Sequence, residues 1–227
     1  MKISILGTGM VGRTIAQKLL SLGHDIVMGT RDPAETLTRN EPDNWGNPGF
    51  ADWHKANSAI KLVPFGETAD GADLVINALS GHGTLVGLEA VGAENLAGKI
   101  LIDISNPLDF SNGFPPSLFV SNTDSLGEQV QRALPETRVV KTLNTVNANL
   151  MVEPKALADG DHSMCVAGND ETAKAEVAEF LKEQFGWTDV IDLGDITTAR
   201  GTEAVLLWWV RLWGSLQNPM FAFKIVR

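Results

Sequence analysis

A glycine run that opens a helix directly behind a short aliphatic strand leaves a chain few folds to choose from, and this sequence begins with one. Lys2-Ile3-Ser4-Ile5-Leu6 reads as a strand, and Gly7-Thr8-Gly9-Met10-Val11-Gly12 follows it as G-x-G-x-x-G. Beyond it, Val11, Ile15, Leu19 and Leu22 fall on one face at helical spacing. In that setting each glycine has a task. The first permits the tight turn, the second lets the backbone approach a pyrophosphate, and the third lets the helix pack on its strand. The helix N-terminus then offers unpaired N–H groups and a positive dipole end to the phosphates. A purely structural glycine turn is the competing reading.

The rest of the chain continues the pattern. Further aliphatic runs, at Asp25–Met28, Ile60–Val63, Leu74–Ala78, Ile100–Ile104 and Arg138–Leu143, alternate with helix-like segments, as a parallel α/β sheet requires. One such helix, near Ser125–Ala133, is stopped by Pro135. Asn40–Ala59 and Pro107–Pro116 read as irregular stretches, the first with a helical turn or more. After about residue 146 the texture changes. Ser163–Ala167 and Val190–Leu193 read as strands, Asp170–Phe185 and Thr197–Leu216 as helices, and the alternating tail Phe221–Val226 as a short strand. The expected architecture is α/β: a Rossmann-type doubly wound parallel sheet over residues 1–146, with a small α+β C-terminal domain over 147–227.

The formal net charge of −10 disfavours nucleic acid and anionic membrane as partners. It equally repels a dinucleotide, so a dinucleotide site must create its own positive potential. The one cysteine, Cys165, permits no internal disulfide and fits a reducing, cytoplasmic setting. The N-terminus lacks a signal-peptide pattern, and the most apolar run, Ala204–Leu216, is too short to span a bilayer and holds Arg211.

The end of the second strand selects the dinucleotide. NAD-binding folds place an acid there for the ribose 2′-OH; this chain has Thr30-Arg31. A hydroxyl and a fork-shaped cation suit the 2′-phosphate of NADP(H). Asp32 follows and could pair with Arg31 or itself meet the ribose. Small and polar residues recur where the other strands end: Asn77-Ala78-Leu79-Ser80-Gly81-His82-Gly83, Ser105-Asn106-Pro107 and Asn144-Thr145-Val146-Asn147. In an open α/β sheet these ends line the ligand crevice. The chain has no tyrosine, which excludes a Tyr-Lys carbonyl-reducing pair. Of its four histidines, only His82 falls on the crevice edge, and none has a metal-ligand partner at the right spacing. Lys141-Thr142-Leu143-Asn144 matches the K-x-x-N of hydroxyacid dehydrogenases in letters only, since it falls on a strand. Reducing a ketone ordinarily uses a positioned acid, whereas a flavin-like ring needs mainly alignment. The shortage of acids leans toward a flavin-like acceptor.

Three of the six tryptophans, Trp208, Trp209 and Trp213, share a helix that is apolar nearly all round. It reads as core or as the contact of a homodimer.

These residues together resemble the NADPH:coenzyme F420 oxidoreductase family. The likeness rests on Gly7-Thr8-Gly9-x-x-Gly12, Gly23-His24-Asp25-Ile26-Val27 leading to Gly29-Thr30-Arg31, Val139–Thr145, Val166–Asp170, Arg200-x-x-Glu203 and the Phe223-Lys224-Ile225 ending. The resemblance implies NADPH contacts at Thr8, Met10, Val11, Thr30, Arg31, Ala78 and Leu79, a deazaflavin beside Asn144, Val146 and Ala148, direct hydride transfer between them, and a homodimer. Ser105 and Asn106 complete the expected cofactor-binding set. Two departures stand out. Archaeal members carry histidine at the position of Asn144, and a lysine that helps hold the 2′-phosphate has no counterpart in Asp32–Leu37. The Asn144-Thr145 pair also resembles the cytosolic domain of six-transmembrane metalloreductases, which pass electrons from NADPH to flavin. The expected activity is hydride transfer between NADPH and F420 or a flavin (FMN or FAD), by placement, with no catalytic acid, base or metal. The alternatives are an NADPH-dependent reductase of a small carbonyl or imine, and a dinucleotide-binding sensor without turnover.

Overall fold

Aliphatic strands buried on both faces must be covered by helices from both sides, and the computed structural model shows this arrangement. It describes residues 1–42 and 46–227. Asp43, Asn44 and Trp45, part of the expected Asn40–Ala59 loop, lie outside the described residues. The chain runs through β1 (Lys2–Leu6), α1 (Met10–Ser21), β2 (Asp25–Thr30), α2 (Pro33–Thr36), α3 (Phe50–Ala56), β3 (Lys61–Pro64), α4 (Phe65–Thr68) and β4 (Leu74–Asn77). It continues with α5 (Gly81–Val91), α6 (Ala93–Leu96), β5 (Ile100–Asp103), the short β6 (Leu108–Asp109) and β7 (Ser117–Leu118), α7 (Leu126–Ala133) and β8 (Arg138–Lys141). Last come α8 (Ala148–Val152), β9 (Ser163–Val166), α9 (Glu171–Phe180), β10 (Asp189–Asp192), α10 (Ala199–Ala204) and α11 (Leu206–Leu216).

Six strands form a parallel sheet in the order β3-β2-β1-β4-β5-β8, a Rossmann-like α/β fold. Ile3, Ile5, Ile26, Met28, Ile76, Ile102 and Val140 share one core with α1, α3, α8 and α9. Leu6, Val75, Leu101 and Val139, on the opposite face, share a second with α5, α7 and Ala199 of α10. The first core also takes in Met164, Val166, Ala173 and Val177, so the apolar interior is continuous between residues 1–146 and 147–227. β9 and β10 pair in parallel, and Ala167 bridges back to Lys141 at the end of β8.

The structure redraws several expected elements. Leu22 lies just past α1 and is exposed. The Asp170–Phe185 helix is α-helical to Phe180 and then widens to a π-type turn over Leu181–Phe185, closed by Gly186 in the left-handed region. The Thr197–Leu216 helix is two helices, α10 and α11, meeting at Val205. Pro107–Pro116 holds part of a two-residue antiparallel pairing, β6 with β7. The tail Phe221–Val226 is not a strand. It lends the edge of β9 one backbone bond, Ser163 N to Phe223 O at 2.8 Å, and its next contact there is a side chain, Ile225 N to Ser163 Oγ. Its aromatics instead stack on α11: Phe223 on Trp208 and Phe221 on Trp209. Leu207, Trp208 and Leu216 stay exposed in the single chain, on the helix the homodimer expectation concerns. Among the described residues no helix is long and apolar enough to cross a membrane.

The final rung of the sheet reads Gly29, Leu6, Asn77, Asp103 and Lys141 across neighbouring strands. Parallel register puts the last three side chains on one face, and they interact. Asn77 Nδ2 donates to Asp103 Oδ1 (2.8 Å), and Lys141 Nζ donates to Asp103 Oδ2 (3.0 Å). Lys141 is completely enclosed, and its second carboxylate is Glu203 of α10, at 2.8 Å. Glu203 in turn accepts from Leu126 N and Gly127 N, the free amides at the start of α7. Burial by itself would push the Lys141 ammonium down, but Asp103 and Glu203 outweigh it and hold the group above its ordinary value. Replacing Lys141 with Met would leave two buried carboxylates without their cation. Urea unfolding should show a loss of about 3–5 kcal/mol, the range for breaking a buried pair; a loss under about 1 kcal/mol would show that the cluster does not hold α10 to the sheet.

Candidate functional site

Strand order reverses at β1, where the chain leaves to opposite faces from β1 and β4, and this is where open α/β sheets bind ligands. Three glycines shape the turn there for three different reasons. Gly7 has φ +110°, and a Cβ on it would lie 2.7 Å from Ala78 O, so the β1 and β4 ends can meet only without a side chain. A Cβ on Gly12 would lie 2.2 Å from Gly7 O, which locks α1 against its own turn. Gly9 is different. Its φ of −75° suits any residue, and a Cβ there would meet nothing among the described residues within 4 Å. Neither strain nor packing among the described residues accounts for it, and the bare backbone leaves the space above it open. Gly9 caps α1 with no side-chain bond, and the first turn of α1 holds no acid, so its amides face that space with a positive potential.

At the end of β2 the polar groups divide. Thr30 is buried and its hydroxyl bonds that of Thr36 at 2.8 Å, so it fastens α2 to the strand. Asp32 is the N-cap of α2, accepting from Glu35 N at 3.0 Å. Arg31 between them is exposed and, among the described residues, makes no ion pair, with Asp32 or otherwise.

The other strand ends separate into rim and scaffold in the same way. Met10 is exposed, and Thr8, Val11, Ala78, Leu79 and Asn106 are half-buried on the rim. Ser105 is buried, its amide and hydroxyl both given to Asp103 Oδ1 (3.1 and 2.7 Å). Asn144 is buried too. Its Nδ2 donates to Asn106 Oδ1 and to Thr202 O, each at 3.0 Å, while Asn106 Nδ2 donates back to Asn144 O. This clasp ties the β5 loop, the β8 loop and α10 together. The preceding residue, Leu143, has φ +62°, a left-handed conformation that is costly for leucine and is held here by complete burial. Val146 belongs to the first core, and Ala148 is buried at the first turn of α8. His82 stands exposed at the start of α5, stacked on Phe119 (ring centroids 4.4 Å) with Nε2 3.9 Å from Asp109 Oδ1.

Two features of this edge are absent from the sequence reading. One is the pairing of Lys141 with Asp103 and Glu203, although Lys141 and Glu203 both stand in quoted motifs. Its signal was present: a lysine within Val139-Val140-Lys141-Thr142-Leu143 and an aspartate closing Ile100-Leu101-Ile102-Asp103 cannot stay buried without each other. The other is Arg39, whose Nη1 reaches Thr8 Oγ1 at 3.3 Å.

A glycine-loop crevice at the switch point of a doubly wound sheet, with a basic rather than acidic residue closing β2, defines a dinucleotide-binding oxidoreductase of the NADP-linked kind. Comparison with known proteins agrees. Residues 2–107 match the family described as NADP oxidoreductase, coenzyme F420-dependent. A crystal structure from Arthrobacter sp. FB24, described provisionally as an F420-dependent NADP-reductase, is 58% identical over 100% of both chains, with a TM-score of 0.95. The F420-dependent NADP reductase of Methanothermobacter marburgensis is 25% identical, over 90% of this chain and 89% of its own length. Metalloreductase STEAP3 of Rattus norvegicus is 29% identical over 93% of this chain, which spans only 38% of that protein. The chain belongs to the coenzyme F420-dependent NADP oxidoreductase family, and it is an NADP-dependent oxidoreductase.

The glycine geometry separates binding from folding. Gly9→Ala should change stability by no more than about 1 kcal/mol, the scale of an altered N-cap, yet weaken NADPH binding measured by fluorescence titration. Gly12→Ala should lower stability by about 1–3 kcal/mol, as overpacking does. Unchanged NADPH affinity in Gly9→Ala would mean that the space above Gly9 is not the pyrophosphate site.

Proposed function

We propose that the enzyme moves a hydride between NADPH and a planar ring acceptor, a deazaflavin of the coenzyme F420 type or a flavin. One observation carries the choice of acceptor. Among the described residues, the ionisable side chains at the inner ends of β5 and β8 are already committed. Asp103 and Glu203 are enclosed and each paired with Lys141, and His82, on neighbouring α5, is exposed and stacked on Phe119. That edge offers no poised acid for a carbonyl oxygen, and a ring-to-ring transfer needs none at the reacting atom. The relatives named for F420-dependent NADP reduction support the same reading.

In this proposal Gly7–Gly12 and the α1 amides hold the pyrophosphate, and Arg31 holds the 2′-phosphate. Ala78 and Leu79 flank the cofactor from β4. NADPH, when bound, supplies the hydride from its nicotinamide ring. The protein's part is placement. The Asn106–Asn144–Thr202 clasp fixes the loops after β5 and β8, and the Lys141 cluster fixes that clasp from beneath. Asn144, Val146 and Ala148 would then back the acceptor pocket from within, not face it directly.

The test follows NADPH oxidation with F420, riboflavin and FMN in parallel. Turnover is expected with at least one ring acceptor, and His82→Ala should keep most of it. Arg31→Ala should weaken NADPH binding by roughly 1–3 kcal/mol, the range of charge-assisted hydrogen bonds, and hardly change NADH. Turnover with simple carbonyls or imines but with no ring acceptor would replace this reading. So would loss of all turnover in His82→Ala.

A further inference from the structure

A single guanidinium is a poor match for the end of β2. A phosphate monoester carries about 1.5 to 2 negative charges at neutral pH. Arg31 is followed at once by Asp32 and, one turn on, by Glu35, in a chain of net charge −10. The segment Asp32–Leu37 offers no cation to offset them.

The fold brings one in from further along. Leu6 and Gly29 are register partners in adjacent strands, so Thr8 and Arg31 each stand two residues past the same rung. α2 then turns the chain back toward β1. It is pinned to β2 by the Thr30–Thr36 hydroxyl pair and continued by Arg39 N donating to Thr36 O at 3.2 Å. Arg39 is held from its other side as well. Ala51 N of α3 donates to Arg39 O at 3.1 Å, and a Cβ on Gly49 would lie only 2.6 Å from that oxygen. The backbone at Arg39 is therefore fixed between α2 and α3. Its guanidinium reaches Thr8 Oγ1 in the glycine turn at 3.3 Å, with Glu35 Oε1 4.0 Å away and half of the side chain open to solvent. That leaves a five-donor fork with long, weak engagements beside the turn that would take the dinucleotide phosphates.

We propose that Arg39 is the second cation of the 2′-phosphate site and determines the preference for NADPH together with Arg31. The assignment rests on the reading of the Gly7–Gly12 edge as the NADPH site. Arg39, Arg31 and the Thr8 hydroxyl close around the phosphate from two strand ends and the α2–α3 connection. Arriving phosphate draws Arg39 away from Glu35, a partner that solvent already weakens.

The experiment uses two fragments of the cofactor as probes, 2′,5′-ADP and 5′-AMP, titrated calorimetrically into wild type, Arg39→Ala and Arg39→Lys. Wild type should bind 2′,5′-ADP more tightly. Arg39→Ala should weaken 2′,5′-ADP by about 10- to 100-fold, as expected for a lost charge-assisted bond, and leave 5′-AMP within about twofold. Arg39→Lys should fall between, because it keeps the charge but not the fork. If wild type prefers 2′,5′-ADP and Arg39→Ala keeps that preference, or weakens both probes alike, the Arg39 assignment is overturned while the NADPH reading stands. If wild type does not distinguish the probes, the NADPH reading itself fails and this assignment with it.

Discussion

An ammonium with no exposed surface survives inside a protein only if carboxylates come with it, and Lys141 brings two from distant parts of the chain. Asp103 is its register partner on the neighbouring strand; Glu203 arrives from α10. The consequences run outward. Asp103 also takes Asn77 and Ser105, so the ends of β4 and β5 are set by the same group that holds Lys141. Glu203 also takes the first amides of α7, so one carboxylate joins a helix start, a strand end and the C-terminal helices. Ser125 N-caps α7, accepting from Glu128 N and donating to Glu128 Oε2, and Arg200 pairs with Glu128 at 2.6 Å, holding that carboxyl below its usual range. The last third of the chain also meets the sheet through apolar packing, the Ala167–Lys141 backbone bridge and the Thr142 hydroxyl on Cys165 O, and the cluster adds buried charge pairs at fixed distances to these.

This arrangement explains why the crevice edge has two kinds of polar residue. Scaffold groups (Asn77, Asp103, Ser105, Lys141, Asn144) are buried and hydrogen-bonded to one another. Rim groups (half-buried Thr8 and exposed Gly9, Arg31 and Arg39) are lightly engaged. Scaffold groups resist change because losing one partner strands another in a low-dielectric interior. Rim groups retain donors for a ligand. A transfer that depends on alignment within a few tenths of an ångström needs the first kind beneath the second.

The parallel sheet was legible because its signals are local: β1 and the glycine run sit where the pattern puts them, and six expected strands form one sheet within a residue or two of their expected ends. The glycine turn was legible for the same reason. What escaped the sequence depends on distance along the chain. Thr30 reads as a ligand donor, and nothing in its surroundings announces the hydroxyl pair it makes with Thr36 six residues on. Asn144 reads as pocket lining, and the bonds of its amide to Asn106 and Thr202, 38 and 58 positions away, leave no local signal. Glu203 and Lys141 are 62 positions apart, and no periodicity announces their pairing. The tail was misread because alternation shows only that two faces differ. Phe221 and Phe223 use that difference to stack on α11, and β9 gains a single backbone bond.

If placement is the whole of the protein's contribution, the hydride must pass from ring to ring without an exchangeable stop. The direct measurement is a single turnover in ordinary water, with NADPH carrying deuterium at the transferring position of the nicotinamide and coenzyme F420 as acceptor. The reduced deazaflavin is then analysed by mass spectrometry. The account predicts that the deuterium is retained on the carbon that receives the hydride. Deuterium lost to solvent, or NADPH oxidised with no label in the reduced ring, would contradict direct transfer and place a protein group or another acceptor between the two rings.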